Sequence, residues 1–392
     1  MPTRWNAAPN ASGSPGPTRR STRASCDRLP AHHLVATAGH PLRIALIASA
    51  GHPIAEPFAG GLEAHTWTLS AALRSRGHEV TVFAGPGSDP ELGVVEMPLR
   101  PARISESARR DTSMVAAPWL EEHHAYLQLM LELARTPSRY DLVHNNSLNY
   151  LPVAMAPALP VPVVTTLHTP PTPWIESAIQ MAPHCPVHFS AVSAHTAAAW
   201  RHIVPAATVV HNGIDTRRWQ PGPGGDDLVW SGRIVPEKGT HLAIEAAEQS
   251  GRGLRIAGPV GDTEYFEACV RPRLGRTITY EGHLHQPDLC KLVGSSAAAV
   301  VTPCWDEPYG LVVAEALACG TPVCGFARGA LPEIITPACG RLVRPGDSAA
   351  LAKAVEPTIG LSRADARRYA EAFCSMDAMT RSYERLYRSV SA

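Results

Sequence analysis

Two carboxylates, Glu307 and Glu315, stand eight positions apart in the string Glu307-Pro308-Tyr309-Gly310-Leu311-Val312-Val313-Ala314-Glu315-Ala316-Leu317-Ala318-Cys319-Gly320. The apolar positions after Gly310 recur with helical spacing; Pro308 suits a first helical turn and Gly320 suits a stop. Glu307 therefore belongs in the loop ahead of a helix, and Glu315 about a turn inside it. The backbone N–H groups of Gly310, Leu311 and Val312 then lack helical partners and are open to an anion. Two carboxylates for hydroxyls, flanking a positive helix end for phosphates, form a cradle for a sugar nucleotide. Two glutamates at this spacing, taken alone, equally describe a helix with two solvated side chains.

A second constellation is Ser231-Gly232-Arg233-Ile234-Val235-Pro236-Glu237-Lys238-Gly239, about 70 residues earlier. Arg233 offers a forked donor and Lys238 a compact charge, a combination suited to a diphosphate. Read alone, they are two solvated cations in a loop. Upstream, Gly60-Gly61 opens a helical pattern whose first amides can meet a phosphate, or forms an ordinary tight turn. His168 follows one strand pattern and His144 ends another; His144 is a candidate for the acceptor side. Together these groups offer charge stabilisation for a diphosphate and a grip on hydroxyls.

The string from Glu307 to Val323 resembles the E-x7-E signature of the retaining glycosyltransferases of family 4, which adopt the GT-B fold. Gly232 to Gly239 resembles that family's G-R-x4-K-G element. The resemblance spans Leu42 to Tyr387. It implies an α/β architecture of two Rossmann-like domains facing across a cleft, with a C-terminal helix crossing back to the N-terminal domain. It also implies that Arg233 and Lys238 clamp the diphosphate, Glu315 binds ribose hydroxyls, Glu307 approaches the donor hexose, and His168 contacts the donor sugar. Candidate catalytic residues are thus Arg233, Lys238, Glu307 and His168. Candidate donor-binding residues are Gly60, Gly61, Arg233, Lys238, Glu307, Gly310, Leu311, Val312 and Glu315.

There is no Asp-x-Asp motif, so no metal is expected, and no cofactor beyond a nucleotide sugar. The implied activity is retaining, metal-independent transfer of a hexose from a UDP- or GDP-sugar by same-face displacement. Other readings are a non-catalytic sugar-nucleotide-binding protein, or another GT-B enzyme such as an epimerase or phosphorylase. Arg233, Lys238, Glu307 and Glu315 are all intact, which favours the transferase. His211-Asn212-Gly213-Ile214-Asp215 resembles the family's turn before the interdomain linker. Arg328-Gly329-Ala330-Leu331-Pro332-Glu333 resembles its following glycine-rich turn, with Arg328 an extra phosphate contact. Cys304 and Tyr309 depart from the family's usual small hydroxyl residue and Phe, and bear on the sugar pocket.

The elements that must position these groups alternate between short apolar strands and amphipathic helices. Strand patterns fall at Leu42–Ala48, His78–Ala84, Asp141–His144, Val161–Thr166, His188–Val192 and Ala207–Val210, with helices at Leu62–Arg76 and Ala117–Ala134. The Pro/Gly run at Pro221–Gly225 breaks the pattern. It then restarts with strands at Leu228–Ser231, Arg255–Gly258, Ala298–Val301 and Pro322–Gly325, and a helix at His241–Gln249. The expected organisation is a disordered tail over 1–41, an N-terminal acceptor-side domain over 42–218, a C-terminal nucleotide-sugar domain over 226–362, and helices returning over 363–392.

Composition narrows the function class. Among 392 residues, Lys+Arg and Asp+Glu each number 35, so no global basic field draws nucleic acid. Nine cysteines form no CxxC pair or Cys/His array, which argues for reduced thiols in a cytoplasmic protein. The longest apolar stretch, Tyr150 to Val164, carries Pro152, Pro157, Pro160 and Pro162 and cannot be a membrane helix. From Leu42 to Asp215, ten Arg or Lys face fourteen Asp or Glu, a net of −4. That charge does not suit an anionic lipid surface. The expected acceptor is a soluble metabolite or oligosaccharide.

Overall fold

The computed structural model describes residues 40–391 other than 98, 137 and 182–185; residues 1–39 of the expected tail lie outside the described residues. Two parallel sheets carry the chain. The first comprises β1 (Arg43–Ile47), β2 (Glu79–Ala84), β3 (Val94–Glu96), β4 (Leu142–Asn145), β5 (Val163–Leu167), β6 (Val187–Ala191) and β7 (Thr208–Val209). Its spatial order is β3-β2-β1-β4-β5-β6-β7. The second comprises β8 (Leu228–Ser231), β9 (Leu254–Ala257), β10 (Ile278–Tyr280), β11 (Ala298–Val301), β12 (Val323–Phe326) and β13 (Gly340–Val343), in the order β10-β9-β8-β11-β12-β13.

Both sheets place their first strand in the interior, so the chain direction across the sheet reverses there: Ile44 pairs with Val80 on one side and Leu142 on the other. The crevice outside the strand ends at such a switch point is where an open α/β sheet binds ligands. Gly60-Gly61 follows β1, Arg233 and Lys238 follow β8, and Glu307 follows β11. The topology thus delivers three of the sequence motifs to the switch points of two sheets.

The longer helices among the described residues are α1 (Gly61–Ser75), α2 (Ala117–Arg135), α3 (Pro173–Met181), α4 (Ala194–Trp200), α5 (Thr240–Ser250), α6 (Gln286–Gly294), α7 (Leu311–Ala318), α8 (Ser348–Ile359), α9 (Arg363–Phe373) and α10 (Met376–Ser391). Both faces of each sheet are covered, which is why the central strands read as continuous apolar runs. Ile44, Leu46 and Val82 pack against Leu69 and Leu73 of α1, while Ala45, Ile47 and Phe83 pack against Tyr126, Leu129 and Met130 of α2. In the second sheet, Val229, Ala299 and Val323 meet Val313 and Leu317 of α7; Trp230, Ile256 and Val300 meet Ile244 of α5 and Leu351 of α8.

The C-terminal segment forms two helices, and α10 returns to the first sheet. Tyr383 and Tyr387 are fully buried there. Burial of each such side chain is worth about 1.5–3 kcal/mol. Tyr387 Oη lies 2.8 Å from His144 Nδ1, and Tyr383 Oη lies 3.1 Å from Thr166 Oγ1. At the rim, Arg76 donates to Glu384 at 2.8 Å and to Asp377 at 2.7 Å. No helix among the described residues is long and apolar enough to cross a membrane.

Candidate active site

The loop after β8 is a tight, internally bonded turn. Gly232 N–H donates to Ala257 at 3.0 Å, and Lys238 and Gly239 N–H close a single 3-10 turn onto Val235 and Pro236. Gly239 adopts φ +65°, and a Cβ there would lie 2.1 Å from the Thr302 carbonyl oxygen. Only glycine satisfies both conditions. Gly239→Ala is therefore expected to cost about 3 kcal/mol or more, from left-handed backbone strain and a displaced Thr302 loop, read as the shift in a urea midpoint. Thr302 Oγ1 donates to the Gly239 carbonyl at 2.9 Å and Cys304 N–H to Glu237 at 2.7 Å. The loops after β8 and β11 are thereby locked together.

That lock brings Lys238 to Glu307. Lys238 Nζ donates to Glu307 Oε2 at 2.5 Å, Trp305 Nε1 donates to the same oxygen at 3.1 Å, and the ammonium sits 5.1 Å from the Trp305 ring centroid. A charged, partly buried pair with its hydrogen bonds filled holds its geometry. Arg233 is half exposed, 3.9 Å from Glu237. The Glu307 backbone is braced from behind. Ala330 N–H donates to its carbonyl at 2.8 Å, and a Cβ on Gly329, at φ +58°, would fall 2.3 Å from that oxygen.

Helix α7 begins at Leu311, after Gly310 at φ +95°. Pro308 is thus in the loop and not in the first turn, a correction: the left-handed glycine, not the proline, starts this helix. The N–H groups of Gly310, Leu311 and Val312 have no hydrogen-bond partner among the described residues. Facing them is the glycine loop of the first sheet: a Cβ on Gly61 would meet Leu311 Cδ1 at 3.3 Å. Glu315 lies in the second turn of α7, and burial pushes its carboxyl up to about 7, with the nearby Cys290 adding to the rise. No hydrogen bond reaches that carboxylate from the described residues.

His168 follows β5 and is held by a relay. Its Nε2 lies 2.7 Å from Asn146 Oδ1, Asn146 Nδ2 donates to Thr66 Oγ1 at 2.6 Å, and that hydroxyl donates to Leu62 O at 2.8 Å. With the amide so oriented, His168 Nε2–H is the donor, which leaves Nδ1 free to accept. Burial, then the neighbouring His65 and His144 rings, hold its pKa well below the usual imidazole value. His65, 1% exposed, is lowered by burial to about 4. Both of these imidazoles are therefore neutral.

One cleft of about 570 Å³ is lined by Gly60, Gly61, His168, Arg233, Lys238, Glu307, Gly310, Leu311, Val312 and Glu315. The candidate catalytic and donor-binding residues thus meet in one place, whereas His144 and Arg328 lie outside it. The profile of "Glycosyltransferase Family 4" matches residues 59–218, and that of "Glycosyl transferases group 1" matches 215–372. The chain belongs to glycosyltransferase family 4. It is 28% identical over 351 residues to the glycogen synthase of Mycobacterium tuberculosis, covering 79% of this chain and 84% of that protein. It is 27% identical over 352 residues to the D-inositol 3-phosphate glycosyltransferase of Mycobacterium avium, covering 78% and 82%. Its fold matches the crystal structure of Anabaena HepE in complex with UDP-glucose, with a TM-score of 0.68 at 19% identity, over 89% of this chain and all of that one.

Some expectations fail in this glycosyltransferase. His144 does not line the cleft. It is fully buried, with Nε2 2.8 Å from Thr166 Oγ1 and Nδ1 bound to Tyr387, so it fastens α10 to the sheet. Arg328 does not line the cleft either; its Nε donates to Asp306 at 3.1 Å. Gly329 and Ala330 are the parts of that turn that reach the site, through the Glu307 backbone. Other contacts were not foreseen. Trp305 holds Glu307. Glu333 accepts the Ala194 and His195 N–H groups at 2.8 and 2.7 Å, joining the start of α4 to the second sheet's loops. Arg218 pairs with Glu56 and lies 4.8 Å from the Trp67 ring centroid, tying the linker to the glycine loop. Trp305 stands two positions before Glu307 and Glu333 closes the Arg328–Glu333 string, whereas nothing near Arg218 or Glu56 marked their pairing.

Proposed function

We propose that this glycosyltransferase moves a hexose from a UDP- or GDP-sugar to a soluble acceptor, with retention and without a metal ion. The observation that carries the reading is the grouping of Arg233, Lys238 and three unpartnered amides at the start of α7 in one cleft. These are the charges and donors a diphosphate leaving group needs. Glu315 then takes the ribose hydroxyls. Glu307, held by Lys238 and Trp305, faces the hexose. His168, neutral and oriented by Asn146, accepts from a sugar hydroxyl through Nδ1. The acceptor enters on the side of the first sheet, and the departing phosphate takes its proton. HepE is described in complex with UDP-glucose, which favours a UDP-sugar as the first donor to test.

Thermal shift with UDP-glucose, GDP-mannose and ADP-glucose, each with and without EDTA, tests this. A donor at 100 times its Kd adds about 2.7 kcal/mol to the folded state. One donor should raise Tm by a few degrees, and EDTA should leave that rise unchanged. No shift with any donor would reject the donor site. A shift abolished by EDTA would reject the metal-free clamp.

A further inference from the structure

Four aromatic side chains that do not line the cleft form a cluster at the loops of the first sheet. Trp119, in the first turn of α2, stacks on His123 with centroids 5.1 Å apart and planes at 13°. Tyr150 stacks on Trp174 at 5.1 Å and 28°. The two pairs join through Trp119–Trp174 at 5.8 Å and His123–Tyr150 at 6.1 Å. Trp119 and Trp174 remain 38% and 54% exposed, and neither indole N–H has a hydrogen-bond partner among the described residues. Large apolar rings kept open to water in a fixed cluster mark a binding surface rather than a core.

The cluster's position is informative. Tyr150 follows β4, Trp174 follows β5, and α2 starts at the same edge of the first sheet. The loops after β4 and β5 also send Leu148, His168 and Thr169 into the cleft wall. The aromatic cluster is therefore built in part by the same two loops that supply a wall of the cleft. The three chain stretches that build it, 115–126, 146–155 and 168–181, contain no Arg or Lys and three acids, Glu121, Glu122 and Glu176. A phosphorylated acceptor would meet acids and no cation there. The apolar C–H face of a pyranose ring suits an aromatic face, and free indole N–H groups suit its hydroxyls.

We infer that Trp119 and Trp174 form an acceptor subsite for a neutral oligosaccharide, whose rings stack on the indoles while its terminal hydroxyl reaches the anomeric carbon in the cleft. The inference rests on the transferase reading above and adds the acceptor's class to it. The test uses the full chain with Trp119→Ala and Trp174→Ala, whose exposed positions tolerate truncation. Maltoheptaose, cellohexaose, mannotetraose, inositol 1-phosphate and phosphatidylglycerol vesicles are titrated by tryptophan fluorescence and sedimentation, with donor binding measured in parallel. At least one neutral oligosaccharide should bind the native enzyme. Each variant should weaken that binding, and raise the acceptor KM, about tenfold or more, leaving donor Kd and saturated kcat unchanged. Donor binding with no neutral oligosaccharide bound, binding of inositol phosphate or vesicles alone, or variants that bind as the native protein does would each overturn it. A native protein that binds no donor would sink the transferase reading itself, and the subsite with it.

Discussion

Lys238→Ala should lower kcat by about 10³-fold while the protein keeps its fold and its Tm within a few degrees. Loss of a single group that stabilises developing charge costs roughly 10²–10³ in kcat. Here the loss is compounded. Lys238 is bonded to Glu307 at 2.5 Å, so its removal takes a cation from the leaving diphosphate and also leaves an unneutralised carboxylate at the hexose. That carboxylate then repels the phosphate the site must hold. Lys238→Arg keeps the charge but spreads it over a planar, bulkier fork, and should recover only part of the rate. Glu307→Gln with Lys238 intact should lose less donor affinity than Lys238→Ala, because it removes negative charge from the cleft. Steady-state kinetics and circular dichroism on the three variants check this. A Lys238→Ala enzyme with near-full turnover would remove Lys238 from the diphosphate site.

Glu315 gives the second large effect, and its sign follows from its surroundings. Burial raises its carboxyl to about 7 in the free enzyme, so it is largely protonated at pH 6 and ionised at pH 8. Ribose hydroxyls donate to the ionised form, and such bonds are the stronger ones. Donor affinity should therefore rise roughly tenfold from pH 6 to pH 8, following the ionised fraction. A UDP-sugar has no phosphate group that titrates in this range, so the change comes from the protein, and the Gln variant assigns it to Glu315. Glu315→Gln should weaken the donor about 100-fold at pH 8 and flatten the profile. The same raised value means that ionising Glu315 destabilises the ligand-free fold, so the Gln variant should have the higher Tm at pH 8. Calorimetric titration of UDP-glucose or GDP-mannose across this range decides the matter. A flat profile in the native enzyme would separate Glu315 from the donor.

The alternation of strand and helix was readable from the chain wherever a strand was buried on both faces. Leu228–Ser231 and Ala298–Val301 coincide with β8 and β11 because each is a short apolar run between polar turns. Val94–Glu96, Ile278–Tyr280 and Gly340–Val343 were missed. They are three or four residues long and lie at or toward sheet edges, where one row of backbone groups is unpaired and Glu, Thr or Arg is tolerated, so no period can develop. The site was readable for a different reason. Glycines with a forced conformation and charged residues at fixed spacing sit in contiguous strings, and the switch-point topology needs no further information to bring those strings together. Contacts between distant strings left no local mark. His144 has the composition of a cleft residue, and only the return of Tyr387 from the far end of the chain shows it to be a fastening. Arg328 has the charge of a phosphate ligand, and only Asp306, 22 residues earlier, shows where that charge is spent. Pro308 fits a first helical turn by type, but Gly310 at φ +95° sets the start two residues beyond Tyr309.

The most direct measurement is a crystal structure with a bound nucleotide-diphosphate hexose. Its β-phosphate oxygens should lie within hydrogen-bonding distance of Lys238 Nζ, the Arg233 guanidinium and the N–H groups at Gly310 to Val312, with Glu315 on the ribose. A diphosphate seated elsewhere in the cleft, with Arg233 left in solvent and the start of α7 unoccupied, would contradict the account.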